Sequence, residues 1–220
     1  MEFISYFVFI CLIFPMCLML FILDKKPRLL VGYLLVGIFV CLFCSEINGI
    51  IVNLLDNNYP LVTTTYTPIV EEFFKAMPIL WYAFVYKPER RTLMMLAFAL
   101  GVGFAMLENM VYVIRNLDSL NWGFALTRGL CAGLMHSVCT MMVGMGIYFV
   151  NKKRKLFICG TTALLGFAAT YHSIFNILVQ SKYYWVGYII PSFVYVCIIG
   201  IPFISKRNKK KTVKNNAITE

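Results

Sequence analysis

The sequence predicts an all-α fold: a polytopic bundle of about seven transmembrane helices, with the N-terminus outside and the C-terminus in the cytoplasm. Three observations carry this reading. The 220 residues are 60% apolar with a mean hydropathy of +0.78, whereas a soluble domain is about half apolar. Only 14% of residues are charged, and they gather in short clusters between long uncharged stretches, the pattern of membrane spans. The basic clusters also fall in every second loop, which fixes an orientation.

The first apolar stretch, residues 3–23, resembles a signal peptide only superficially. Glu2 precedes it rather than a basic residue, the apolar run is too long, and no Ala-x-Ala-like site follows. It is expected to be a span. The others are expected over 29–55, 65–86, 92–114, 123–150, 156–180 and 183–205. Each is long enough to cross roughly 30 Å of hydrocarbon at about 1.5 Å per residue. Lys25, Lys26 and Arg28 follow the first span. Lys87, Arg90 and Arg91 follow the third, and Lys152, Lys153, Arg154 and Lys155 the fifth. The tail adds Lys206, Arg207, Lys209, Lys210, Lys211 and Lys214, so 16 of the 20 basic residues lie on one side. The opposite loops hold only Arg115 and Lys182.

The net charge of +10 is therefore a topology signal directed at an anionic inner leaflet, and no nucleic-acid partner is implied. The expected organisation is one transmembrane domain over 1–205 and a basic, disordered cytoplasmic tail over 206–220. The eight cysteines lie in apolar stretches, including the Cys41–Cys44 pair, and read as buried small hydrophobes.

The informative residues are the ionisable ones inside the spans. A charge at the bilayer centre costs about 2.5–3.5 kcal/mol on the lenient insertion scale, so it must face the interior and find a partner. Glu71, Glu72 and Lys75 lie in the third span, Glu108 in the fourth, Arg128 and His136 in the fifth, and His172 in the sixth. Their distances from the span ends place them roughly 9–18 Å below the outer edge at about 1.5 Å per residue. Four helices thus deliver acidic or imidazole groups to one layer. Lys75 stands at i+4 from Glu71 and i+3 from Glu72, so it can partner either. Thr67-Pro68 reads as a helix start, and Pro78 should free the carbonyl of Phe74.

The faces agree. Gly101, Ala105, Glu108 and Asn109 share one side of the fourth span. Arg128, Ala132, His136, Thr140 and Gly144 form a stripe on the fifth, and Ala168, His172 and Asn176 do so on the sixth. Small residues let membrane helices approach closely. Arg128 reads as a packing ion-pair residue, and Glu46, Asn48 and Asn53 as residues of the outer interface.

Such a cluster can bind a divalent metal such as Zn²⁺ or activate water without one. With neutral histidines, Glu71, Glu72 and Glu108 against Lys75 and Arg128 leave a formal charge of −1. A zinc ion with its hydroxide balances this, and so does a proton on one glutamate, so both versions stay open. There is no HExxH or GxSxG segment.

Glu71-Glu72-Phe73-Phe74-Lys75 matches EExxK, Phe104 to Asn109 matches FxxxEN, and His136 with Thr140 and His172 with Asn176 give HxxxT and HxxxN. In this order on successive spans, the set resembles the PrsW family of intramembrane proteases, relatives of the CAAX-processing and Abi membrane proteases. The resemblance implies an endopeptidase of the bacterial cytoplasmic membrane that cuts a membrane-anchored protein near its extracytoplasmic side, such as an anti-sigma factor. It implies Glu71 and Glu72 as the water-activating or metal-binding pair, with Glu108, His136 and His172 completing the site. The expected metal set is Glu72, Glu108, His136 and His172, with Asn176 as oxyanion donor and Lys75, Thr140 and Asn109 in support. The CAAX enzymes carry Arg in place of Lys75 and His in place of Glu108, so prenylated substrates are not implied. The alternatives are an ion- or proton-coupled transporter and a non-catalytic scaffold or immunity protein on the same fold.

The orientation has a direct check. Reporters fused at Asn58 and at Lys153 should lie on opposite sides of the membrane, and finding both on one side would overturn the span order.

Overall fold

The computed structural model describes residues 16, 17, 20, 22–119, 121–194 and 196. Within them the chain is helical and holds no strand. Helix α1 spans Lys25–Leu54, α2 is the short turn Tyr59–Leu61, and α3 is Thr67–Tyr86. Helix α4 spans Arg90–Arg115, α5 Trp122–Leu126, α6 Gly133–Ile147, α7 Arg154–Val179 and α8 Tyr184–Val194. Two π-helical turns join neighbours into longer rods: Val62–Tyr66 between α2 and α3, and Thr127–Ala132 between α5 and α6.

Four helical rods are long and apolar enough to cross a membrane: Lys25–Leu54, Arg90–Arg115, Trp122–Ile147 and Arg154–Val179. They answer four of the seven expected spans. The expected 65–86 is met by α3, which has 20 residues but carries three charges and so differs from the other four in composition. Most of 3–23, the second half of 183–205 and the whole tail 206–220 lie outside the described residues.

Helix α3 is inverted relative to a soluble helix. Glu71, Glu72, Lys75, Ile79 and Ala83 are buried, while Ile69, Phe73, Met77 and Trp81 are exposed at i+4 spacing. An apolar exposed stripe is what a lipid-facing helix needs, and a charged buried face is tolerable only where every charge is partnered.

The helices alternate in direction along the chain. Tyr33 of α1 meets Pro78 and Tyr82 of α3, while Phe43 meets Phe74, so α1 and α3 are antiparallel. Gly101 of α4 lies on Ser137 of α6 and Ala97 lies by Gly144, again antiparallel. Cys139 of α6 meets Ala168 of α7, and Gly146 meets Thr161. Lys75 and Ile79 of α3 face His136 and Gly144, so α3 and α6 run parallel.

Glycines make these approaches close. A Cβ on Gly37 would clash with the Leu100 carbonyl oxygen, and one on Gly103 with that of Leu34. Backbones in contact replace the hydrophobic drive that lipid does not supply. Gly101 matters most for the site, because its missing Cβ leaves room for the Cα of Ser137 and the carbonyl of His136 at 2.5 and 2.7 Å.

The helix start predicted at Thr67-Pro68 needs correction. The rod begins eight residues earlier, where the Asn58 side chain caps by accepting from the Leu61 amide at 3.2 Å and Pro60 occupies the first turn. Pro68 instead sits just after a π turn. The expected loosening at Pro78 leaves α3 continuous through to Tyr86.

Gly101→Val should force α4 away from α6 and cost at least about 1–3 kcal/mol, as overpacking does. Thermal unfolding in detergent checks the loss, and an unchanged melting temperature would show that the contact is not needed.

Candidate functional site

Seven ionisable side chains from four helical rods form one connected network. Arg128 lies on the π turn that precedes α6, and its Nη2 donates to Glu108 Oε2 of α4 at 2.7 Å. The same oxygen lies 2.9 Å from His136 Nε2. His136 Nδ1 lies 3.0 Å from Lys75 Nζ, and Nζ donates to Glu72 Oε1 at 2.6 Å. Glu72 Oε1 is also 3.0 Å from His172 Nδ1 of α7, and His172 Nε2 stands 3.9 Å from Glu71 Oε2.

The donor rules settle the tautomers. An ammonium only donates, so His136 Nδ1 accepts from Lys75, and Nε2–H donates to Glu108. A carboxylate only accepts, so His172 Nδ1–H donates to Glu72, and with the ring neutral the lone pair is on Nε2. That lone pair faces Glu71.

Burial grades along the network. Lys75 is 0% and Glu72 1% exposed, and both histidines are 1% exposed. The Arg128 and Glu108 side chains retain 12% and 17%, so the network opens at this end. Ring stacking fills the rest. His136 and His172 meet edge to face at 4.8 Å, Phe104 lies 5.0 Å from His136, and Lys75 Nζ stands 4.6 Å over the Phe104 ring. Arg128 stacks 3.9 Å over Tyr112.

Two carboxylates are therefore paired with cations and one is not. Glu71 is 4% exposed, and its Oε2 accepts no hydrogen bond from the described residues. With every carboxylate ionised, the formal surplus of −1 is the Glu71 carboxylate, and a proton there removes it. Glu72 Oε2 is likewise unpartnered.

The sequence-predicted residues divide in their placement. Glu71, Glu72, Lys75, Glu108, His136 and His172 are brought together. Thr140 is buried beside them, with its hydroxyl donating to the His136 carbonyl at 2.9 Å. Asn109 follows Glu108, with its buried Oδ1 unpartnered. Asn176 is one turn beyond His172 and donates to the Thr63 carbonyl at 2.9 Å. Glu46 and Asn53 are exposed and outside the network. Cys41 and Cys44 are buried free thiols. Phe104, which covers both Lys75 and His136, was noted only as part of a motif. A large aromatic residue four positions before an intramembrane glutamate was the available signal.

A family model of PrsW family intramembrane metalloproteases matches residues 25–204. The chain belongs to this family. As a PrsW-family protein it is a membrane-embedded peptidase, a hydrolase of peptide bonds. No curated protein and no solved structure matches it significantly.

The family's metal can be tested against the donors present. One ligand atom from each of Glu71, His136 and His172 lies within 4.8 Å of the other two, and all three residues are buried. Two histidines and a glutamate are a known donor set for catalytic zinc. The facing acceptors Glu71 Oε2 and His172 Nε2 suit a cation, and Glu72 Oε1, accepting from His172 Nδ1–H at 3.0 Å, fixes the ring's tautomer and orientation. His136 joins only if Lys75 or Glu108 releases one of its ring nitrogens. The donors thus fit a divalent ion, and the group contains Glu71 where the sequence reading had Glu72 and Glu108.

Lys75→Met should destabilise the protein by about 3–5 kcal/mol, because it leaves Glu72 as a buried charge with no cation. Adding Glu72→Gln should restore much of that loss. Unfolding curves of the two variants decide it, and an equal loss in both would mean that the pair is not the source.

Proposed function

We propose that this peptidase cleaves a membrane-anchored protein in the outer half of the bilayer, at a centre where Glu71, His136 and His172 hold a divalent ion and its water. The observation that carries this reading is the facing of two acceptors, Glu71 Oε2 and His172 Nε2, 3.9 Å apart at the one carboxylate without a cation. A bound Zn²⁺ supplies a water that ionises near a pKa of about 7 and polarises the scissile carbonyl.

The chain's own groups do the rest. Lys75 balances Glu72 at 2.6 Å and gives up its contact with His136 Nδ1 when that nitrogen turns to the ion. Glu72 Oε1 holds His172 in the tautomer that points a lone pair at Glu71. Glu72 Oε2, buried and unpartnered, is the acceptor left for the proton that water loses as its oxygen adds to the carbonyl carbon. The same proton then passes to the leaving amine nitrogen as the C–N bond breaks. Glu108, balanced by Arg128, takes the hydrogen bond of His136 Nε2–H. Burial of this network in an apolar bundle keeps bulk water from competing with these contacts.

Seven spans over 1–205, with the N-terminus outside and a basic cytoplasmic tail over 206–220, fit the alternating helix directions. Lys25, Lys26 and Arg28 at the start of α1, Lys87, Arg90 and Arg91 around the α3–α4 turn, and Lys152 to Lys155 around the α6–α7 turn then share one side. The network lies toward the other side, which supports a cut at the extracytoplasmic face of a bacterial cytoplasmic membrane. An anti-sigma factor with a single membrane anchor is a substrate of the required kind.

Glu71→Gln and His172→Ala should each slow cleavage of a membrane-anchored substrate by about a hundredfold or more, with folded protein retained. Elemental analysis should find a stoichiometric divalent ion in the wild type that is lost in His136→Ala and His172→Ala. Unchanged cleavage in either active-site variant would overturn the assignment. A metal-free but active wild type would move the reading to water held directly by Glu71 and His172.

A further inference from the structure

The polar side chain of Asn176 faces the site helix but is spent on a backbone carbonyl, and the reason lies in the covalent structure of α3. In the π turn Val62–Tyr66, the Thr67 amide donates to the Val62 carbonyl, five residues back. The Thr63 carbonyl has then lost its usual i+4 donor. The next amide in the π pattern belongs to residue 68, which is proline and has no N–H. Thr63 O is therefore orphaned by sequence, in a half-buried position where an unpaired carbonyl is costly. Asn176 Nδ2 supplies the missing donor at 2.9 Å from α7.

We propose that Asn176 is a positioning residue: it pins the π turn of the Glu71–Glu72 helix to the helix that carries His172, and it is not the oxyanion donor. Glu71 and Glu72 follow Pro68 by three and four residues, and His172 precedes Asn176 by four. α7 thus grips the α3 rod at two places, His172 Nδ1 on Glu72 Oε1 at 3.0 Å and Asn176 Nδ2 on Thr63 O at 2.9 Å. The two attachments set how far Glu71 Oε2 stands from His172 Nε2. A π turn changes the phase of everything after it, so the turn decides which glutamate faces which partner, and Asn176 keeps the turn in place. The inference rests on the chain being a peptidase, and it is independent of which residues hold the ion.

Pro68→Ala gives residue 68 an amide hydrogen that Thr63 O can accept with the π turn unchanged, so it should make Asn176 dispensable. The experiment measures kcat, KM and thermal unfolding for the wild type, Asn176→Ala, Pro68→Ala and the double variant, on a membrane-anchored substrate. With Pro68 present, Asn176→Ala should lower kcat about tenfold to a hundredfold, as small misplacements do, with KM within about twofold. In the Pro68→Ala background the same change should cost less than about twofold. Equal losses of kcat in both backgrounds would show that the amide acts on the reaction itself and would overturn the proposal. A lower melting temperature with kcat unchanged would reduce Asn176 to a structural residue and would also overturn it. Solid-state NMR gives a readout that needs no proline variant. Protein labelled with ¹⁵N-asparagine and threonine carbonyl ¹³C should show a side-chain amide to threonine carbonyl contact that disappears in Asn176→Ala. Its absence from the wild type would sink the idea even if Pro68→Ala does not fold.

Discussion

Lys75 is wholly buried, and the order of the site follows from the ways its ammonium can be satisfied. An isolated ammonium in an apolar interior costs several kcal/mol even after relaxation. Here it has Glu72 Oε1 at 2.6 Å, His136 Nδ1 at 3.0 Å and the Phe104 ring face at 4.6 Å. These groups come from α3, α6 and α4, so satisfying one charge locks three helices together. It also fixes the proton positions. Because Lys75 donates to His136, the imidazole must donate onward to Glu108, and Glu108 then needs the cation that Arg128 provides. Each hydrogen bond in the chain constrains the next.

Such a network can form only if the helices come close enough for short polar groups to span the gaps. Gly101 allows the α4 backbone to touch α6 at His136 and Ser137, and Gly37 and Gly103 do the same for α1 and α4. Exposed Ile69, Phe73, Met77 and Trp81 carry the lipid-compatible surface of α3 and leave its other face free for charge. Packing and chemistry thus use opposite sides of one helix. Any shift of α3 is felt at Glu71, Glu72 and Lys75 together.

That these side chains gather in one cluster was legible in the sequence because intramembrane charge is costly and therefore conspicuous. Glu71, Glu72, Lys75, Glu108, His136 and His172 stood out from apolar surroundings, and helical spacing put them on interior faces. The pairing was not legible. Lys75 is i+4 from Glu71 and i+3 from Glu72, and both spacings allow contact; only the packing of His172 against Glu72 separates them. The three-donor group contains Glu71 because its carboxylate and the two imidazoles come within 4.8 Å of one another, a distance that helical spacing does not give. The helix start at Thr67-Pro68 looked sound because proline suits a first turn, but proline after a π turn has the same signature. The partner of Asn176 was hidden because a backbone carbonyl has no residue identity, and its availability depends on a register that spacing alone does not reveal.

The unequal pairing has a chemical consequence. Three carboxylates meet two cations, and the geometry does not share the deficit among them. Lys75 and Arg128 are each within 2.7 Å of one carboxylate oxygen, so Glu71 is the carboxylate left without one, beside a histidine lone pair. In a low-dielectric interior such a concentration of acceptors is unstable by itself. It becomes favourable when a proton, a cation or a water that can donate occupies the gap. Had Lys75 reached midway between Glu71 and Glu72, the charge would have been spread and the gap would bind nothing strongly. Placing the lysine on Glu72 is thus what leaves the Glu71 and His172 acceptors facing each other, and the same ammonium ties α3 to α6 and α4.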